Sequence, residues 1–326
     1  MSIKIENTQV FGWAGAIRGA RNPMNSRDKS DSAFFSGFDF NRDYYFRDIN
    51  GNRRDWQDWL PPSEEEPSKH EVIKWAEWHK KRKMWEQEPF PKPYHDDENG
   101  GCRIGDVLIG PADHKLLMNL CKGGTEEAKW RRMVHVQMDV TAPLYWWKEF
   151  ETYKVGTVSN SCSTMHKIAA TEFTLDDFSC EHLFPDLELP LGYEEWCKNE
   201  NIDASSIESW EIYSGYLDEY YTAHGAYFNT EFQEVFTAID PLKFTIEALN
   251  FYRIKFLETK DKKYWWQMIQ LLPSSYNQKR TIDLNYEVLA AQYRQRKDHK
   301  LDEWHQYCDW IRGLPYSEFI TMEEEK

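Results

Sequence analysis

The hydrophobic pattern of this chain changes period several times, and each change predicts an element. Residues 240–258 (DPLKFTIEALNFYRIKFLE) put Ile246, Leu249, Tyr252 and Phe256 on one stripe at helical spacing. Asp240 suits a cap and Pro241 the first helical position, so an amphipathic helix is predicted. Residues 262–272 continue helically through Trp265, Ile269 and Leu272 until Pro273 stops them. Residues 133–140 (MVHVQMDV) alternate as a half-buried strand does. His135 falls inside that alternation and reads as a satisfied core histidine rather than a ligand. Residues 104–122 give a short strand-like piece and a helix, with Asp113 as N-cap and Gly123 as stop. Residues 280–291 read as an extended piece turning into a helix, followed by a second helical pattern at Leu301, Trp304, Cys308 and Ile311. Residues 170–235 are acidic and aromatic, with short helical stretches and several loops.

The first hundred residues are patterned differently. Residues 1–60 are rich in Gly, Asn, Asp, Ser and aromatics, a loop is expected over 14–60, and RGARNPMNSRDKSDS reads as extended because Pro23 disfavours helix at Asn22. Arg18, Arg21, Asn22, Asn25, Ser26 and Lys29 either line a site or form a solvated surface. Residues 61–95 read as a helical insertion bracketed by prolines. Acidic residues gather at its start and basic ones at its end, the order that suits a helix dipole. Val72, Trp75, Trp78 and Trp85 fall near one face of it, which suits packing, and Lys80–Lys83 suits a solvated face. The expected organisation is an N-terminal extension over 1–100 and an α/β domain over 101–326.

The segment carrying the most chemistry is 143–167, PLYWWKEFETYKVGTVSNSCSTMHK. An aromatic stretch runs into a series of short polar side chains, Ser159, Asn160, Ser161, Cys162, Ser163 and Thr164, closed by His166 and Lys167. Such side chains compete for backbone hydrogen bonds and make poor helix and poor core. They make good ligand contacts. A second concentration, Arg294, Arg296, Lys297, His299 and Lys300, sits on the C-terminal helical pattern. It calls for an anionic partner or for the chain's own carboxylates.

Composition narrows the classes. The chain has 326 residues, 15 Trp and a formal net charge of −15. Aromatic content argues against disorder over most of the length. An acidic chain does not coat duplex phosphates by bulk charge, so nucleic acid is not the expected partner. No run approaches the ~18 apolar residues of a membrane span, and the first residues lack a secretory pattern, so a soluble cytoplasmic protein is expected. The six Cys show no zinc-finger spacing and read as free thiols. No dinucleotide-binding or P-loop glycine motif, nucleophile elbow or metalloprotease motif is present. His166 is the one nearby base for Ser161, Cys162 or Ser163, and neither a catalytic nucleophile nor a metal ligand is assigned.

The polar segment, taken with the downstream LPSSYNQKRTIDLNYEVLAAQYRQRKDHKLDEW, resembles the flavin-dependent thymidylate synthases. That family carries Arg-His-Arg-x-x-Ser-x-Asn-Glu-x-Ser-x-Arg, followed by Leu-Pro, Thr, Asn, Leu, Arg and His at similar spacing. On residues 153–165 of this chain, Asn160 and Ser163 keep the motif's residues. Tyr153, Lys154 and Val155 replace the basic triplet, Val158 the first Ser, Ser161 the Glu and Met165 the last Arg. Downstream, Leu272–Pro273, Thr281, Asn285, Leu289, Arg294 or Arg296, and His299 match. The resemblance spans about residues 100–320, and the insertion at 61–95 has no counterpart in it.

The resemblance implies an α/β (α+β) fold with a central mixed sheet flanked by helices, and a homotetramer with sites between subunits. It implies FAD as cofactor, held by Lys154, Ser159, Asn160, Ser161, Ser163, Asn285 and His299. It implies a pyrimidine nucleotide held by His166, Arg280, Arg294 and Arg296. The activity implied is methyl transfer to dUMP, with NADPH and methylenetetrahydrofolate as co-substrates. The lost basic triplet removes cationic contacts, each typically worth about 1.5–3 kcal/mol. A non-catalytic nucleotide-binding or scaffold descendant is therefore the second expectation. Nucleic-acid or carbohydrate binding through exposed Trp75, Trp78 and Trp85 is the third.

Overall fold

In a computed structural model, residues 3–38, 44–54, 107–163, 167–183, 190–229 and 234–322 are described. The helical insertion expected over 61–95 lies outside them, as does His166. The expected class is what the structure shows: an antiparallel sheet flanked by helices, in a mixed α/β fold.

In chain order the elements are β1 (Lys4–Phe11), α1 (Trp13–Arg21), β2 (Ala33–Phe38), β3 (Tyr44–Arg47), β4 (Arg53–Arg54) and β5 (Val107–Leu108). Then come α2 (Pro111–Lys122), β6 (His135–Pro143), α3 (Leu144–Phe150), β7 (Val158–Ser161), α4 (Tyr193–Glu200) and α5 (Ile207–Ala223). The last are β8 (Tyr227–Asn229), β9 (Glu234–Phe236), α6 (Asp240–Thr259), α7 (Lys262–Leu271), β10 (Asn277–Asn285), α8 (Tyr286–Arg296), α9 (Asp302–Arg312) and α10 (Glu318–Thr321). The main sheet has the order β1-β6-β10-β7, and a second has β4-β3-β2-β5.

The chain forms two compact units. The larger comprises Ile3–Thr141, Glu149–Ser161 and Lys279–Lys326; the smaller comprises Ala142–Lys148 and Cys162–Gln278. In the larger unit, β6 alternates as its sequence predicts: Val136, Met138 and Val140 are buried, and His135, Gln137 and Asp139 face outward. Trp13 packs edge-on against Tyr286 and Tyr316, with Trp130 and Phe319 completing the cluster. The smaller unit has its own core of Phe173, Phe178, Ile246, Leu249 and Met268.

Where residues 14–60 are described, much of the expected N-terminal loop is regular structure. Trp13, Ala16 and Ile17 are buried on one face of α1, so their burial recruits a Gly-rich stretch into a helix. Gly12 starts it at φ +98°, where a Cβ would collide with the Met133 carbonyl oxygen at 2.0 Å. Asn22 takes a helical conformation in spite of Pro23, and short 3-10 turns follow at Asn22–Met24 and Arg27–Lys29.

Two expected caps do other work. Gly110 precedes α2, and the Asp31 carboxylate receives the backbone N–H groups of Ala112 and Asp113 at 2.8 and 3.0 Å. Asp113 itself is fully buried, pairs with Arg21 and accepts from the hydroxyls of Ser30 and Ser32, both at 2.6 Å. Arg21 is therefore committed to the interior, and Arg18 donates to the Ile49 carbonyl at 2.6 Å. In the smaller unit, Asp240 accepts from the Thr237 backbone N–H and hydroxyl.

Candidate functional site

Short polar residues that resist helix can still pair as a strand, and β7 does so at the edge of the main sheet. Its register with β10 sets Ser161 opposite Arg280, Asn160 opposite Thr281, Ser159 opposite Ile282 and Val158 opposite Asp283. All four β7 residues are exposed. The two segments that carry the sequence resemblance, more than a hundred positions apart, are neighbouring strands.

The stretch leading into β7 lies along α8. Tyr153 donates its hydroxyl to Gln295 at 2.8 Å and accepts from Arg296 Nε at 2.9 Å. At the other end of the helix, a Cβ on Gly156 would stand 2.9 Å from Asn285 Nδ2 and 3.1 Å from Val288, and Gly156 has φ +80°. Asn285 caps α8 through its side-chain oxygen, which accepts from the Val288 N–H at 3.1 Å. The hydroxyl of Thr157 is buried with no hydrogen-bond partner.

Glu149 organises the far end. One of its oxygens accepts from Arg296 Nη1 at 2.7 Å and from Trp304 Nε1 at 3.0 Å, and His299 Nε2 lies 3.3 Å away. The Arg296 guanidinium stands over the Trp304 ring at 4.8 Å and the Tyr153 ring at 5.7 Å. Arg280 Nη1 bonds Glu151 at 2.6 Å. Arg280, Arg296 and His299 thus already face carboxylates of this chain. Lys154 and Arg294 are exposed, and neither makes an ion pair among the described residues.

Lys154, Ser159, Asn160, Ser161, Arg280, Asn285, Arg294, Arg296 and His299 all belong to the larger unit. Ser163 belongs to the smaller one. Glu149, Glu151 and Trp304 were not anticipated as parts of the site. Nothing in their local pattern marks them, because Glu149 and Glu151 take their roles from cations over a hundred residues downstream, and Trp304 takes its role from Glu149, 155 residues upstream.

His135, expected in the core, is half-exposed on the outer sheet face. It is nonetheless satisfied: Nδ1 lies 3.0 Å from Asp283 Oδ1, and the ring stacks on Phe11. The other Asp283 oxygen accepts from Gln137 at 3.0 Å. Beside it, Asp139 accepts from the Thr281 hydroxyl at 2.6 Å and from Asn7, and these bonds hold its carboxyl below the usual range. Among the described residues no His, Cys, Asp and Glu group is arranged to hold a metal ion. None of the described helices is long and apolar enough to cross a membrane.

No protein-family model matches this chain, and no curated protein does. Solved structures do resemble it. Flavin-dependent thymidylate synthase ThyX from Helicobacter pylori, complexed with FAD and dUMP, is 12% identical over 65% of this chain and 84% of that one, with a TM-score of 0.38. A UMP/dUMP methylase, PolB from Streptomyces cacaoi, bound with 5-Br UMP, is 12% identical over 66% of this chain and 84% of that one, also with a TM-score of 0.38.

Proposed function

We propose that this chain binds FAD and a pyrimidine nucleotide along β7 and α8, with dUMP-to-dTMP methyl transfer as its activity. The observation that carries the reading is the pairing of β7 with β10, which sets Asn160 beside Thr281. It joins the two segments whose residues match the flavin-dependent thymidylate synthases.

The donor set fits a flavin nucleotide. Ser159, Asn160 and Ser161 offer short donors and acceptors on an exposed strand, and Thr157 has a buried hydroxyl in need of a partner. Lys154 and Arg294 offer charge for phosphate. Asn285 keeps its amide N–H groups after capping α8. Arg280, Arg296 and His299 complete the proposed set within the larger unit. Bound flavin supplies the redox and one-carbon chemistry, fed by NADPH and methylenetetrahydrofolate, while the chain positions and polarises. We place the protein in the cytoplasm, as an oligomer whose sites are shared between subunits.

The visible spectrum of the purified protein, with and without added FAD, tests this. Bound flavin absorbance or quenching of FAD fluorescence at micromolar protein supports it, and a colourless protein that leaves FAD fluorescence unchanged refutes it. A second reading, a non-catalytic nucleotide-binding protein or scaffold, is favoured by one observation. Glu149 and Glu151 already neutralise Arg296 and Arg280, two of the three arginines proposed to meet phosphate. Calorimetric binding of dUMP or dTMP without flavin, and no rescue of a thymidine-requiring host, would select it.

A further inference from the structure

In the smaller unit, α6 buries Leu242, Ile246 and Leu249 and turns the opposite face outward. On that outer face Phe244 is 74% exposed, Phe251 54% and Ile254 49%. Phe244 and Phe251 are seven residues apart, so they differ by only about 20° around the helix. Apolar side chains this large, gathered on one face and rimmed by charge, mark a contact surface rather than scattered exposure.

The charges around them say what the surface fits. Reading along the outer face, Lys243 and Glu247 precede Phe251, and Lys255 and Glu258 follow it. Reversing the helix end for end about Phe251 exchanges position 247 with 255, and 243 with 258 to within one residue. Glu247 then meets Lys255 directly, and Glu258, set opposite Phe244, lies one residue from Lys243. A parallel pairing would set each charge against itself. Within its own chain, Lys255 lies 3.1 Å from Glu258 and Lys243 3.9 Å from Asp240, so these lysines are held near the rim. A self-complementary patch of this kind is what a two-fold contact between identical chains requires.

We propose that the outer face of α6 is an antiparallel, two-fold contact with α6 of a second copy of this chain, centred on Phe251. It rests on the oligomer proposed above and names one surface of it, while flavin and nucleotide binding are read by separate experiments. Phe251 packs against its own copy. Phe244 covers the far end of the opposite helix, with Glu247–Lys255 and Lys243–Glu258 pairs along the rim.

Light scattering on the eluting protein tests it. The native chain should run at a multiple of 39.0 kDa, and F244E/F251E should halve that mass with an unchanged circular dichroism spectrum. The E247K variant should weaken the assembly, and E247K/K255E should restore it, because both ends of each pair are then reversed. Orientation is read by cross-linking in a background where the exposed Cys162 is replaced by Ser. Phe251→Cys should form a disulfide-linked dimer under mild oxidation. Phe244→Cys should not, since it lies about 21 Å from its own copy at 1.5 Å per residue. A native chain of 39.0 kDa at every concentration overturns the proposal. So does a double Phe variant that keeps the native mass, or Phe244→Cys linking as readily as Phe251→Cys.

Discussion

Replacing Glu149 by Gln should move stability and anion affinity in opposite directions. Glu149 serves Arg296, Trp304 and His299 from one oxygen, and its side chain is about a third exposed. A hydrogen bond to a charged group contributes about 1.5–3 kcal/mol when shielded. Solvent access draws this toward the surface-pair range of about 0–1 kcal/mol. Gln keeps the shape and one acceptor, so a loss of about 1 kcal/mol is expected. The same substitution uncovers Arg296 and His299. A carboxylate about 8 Å from a bound anion repels it by about 2 kcal/mol at an effective dielectric near 20. Physiological salt cuts that to somewhat under 1 kcal/mol. Inorganic phosphate or dUMP should therefore bind about three- to five-fold more tightly to E149Q. Urea midpoints give the first quantity and calorimetry the second. Arg296→Gln and the double variant close a cycle whose coupling should be about 1 kcal/mol. An E149Q protein as stable as the native one, or one that binds phosphate more weakly, refutes the arrangement described for Glu149.

Other outcomes follow from the same geometry. Asp113→Ala should cost about 3–5 kcal/mol, because it leaves buried Arg21 uncompensated, and Asp113→Asn should cost less; urea denaturation of both variants measures this. Gly156→Ala should destabilise by about 1–3 kcal/mol, since φ is +80° and the new Cβ crowds Asn285; Gly124→Ala, strained at φ +97° but in open space, should cost less by the same assay. Hydrogen bonds from Thr281 and Asn7 lower the Asp139 pKa, so Asp139 stabilises the fold above the ordinary aspartate range and loses that contribution as pH falls through its folded value. Thr281→Val should move the Asp139 titration, followed by carboxyl NMR, back toward that range. Burial pushes the Cys308 thiol up to about 11, so alkylation at neutral pH should label exposed Cys162 well before Cys308.

The elements best legible in the sequence were those with a clean period. α6 buries one stripe, α7 packs Trp265, Ile269 and the following Leu272 partly buried around Met268, and β6 alternates; in each the local pattern and the tertiary environment ask for much the same thing. The loop expected before residue 60 failed where a few apolar side chains outvoted a turn-rich composition. Trp13, Ala16 and Ile17 gain enough by burial to hold α1 despite Gly15 and Gly19. Asp113 showed the same limit. Its place near a helix start suggested a cap, but Arg21, ninety-two residues earlier, claimed it for the interior.

For the candidate site, the sequence by itself determined the chemistry available: a polar strand unfit for helix or core, and a cationic C-terminal helix. Tertiary structure decided how that chemistry is deployed. Pairing of β7 with β10 is a long-range register that no local pattern encodes, and it makes one surface of two distant segments. The same folding sets Glu149 against Arg296 and His299, and Glu151 against Arg280. A list of basic residues counts four groups there as equivalent. Folding leaves Arg294 facing solvent and pairs the other three with carboxylates, because the sign of a site's field depends on distances, which the chain acquires only when it closes on itself.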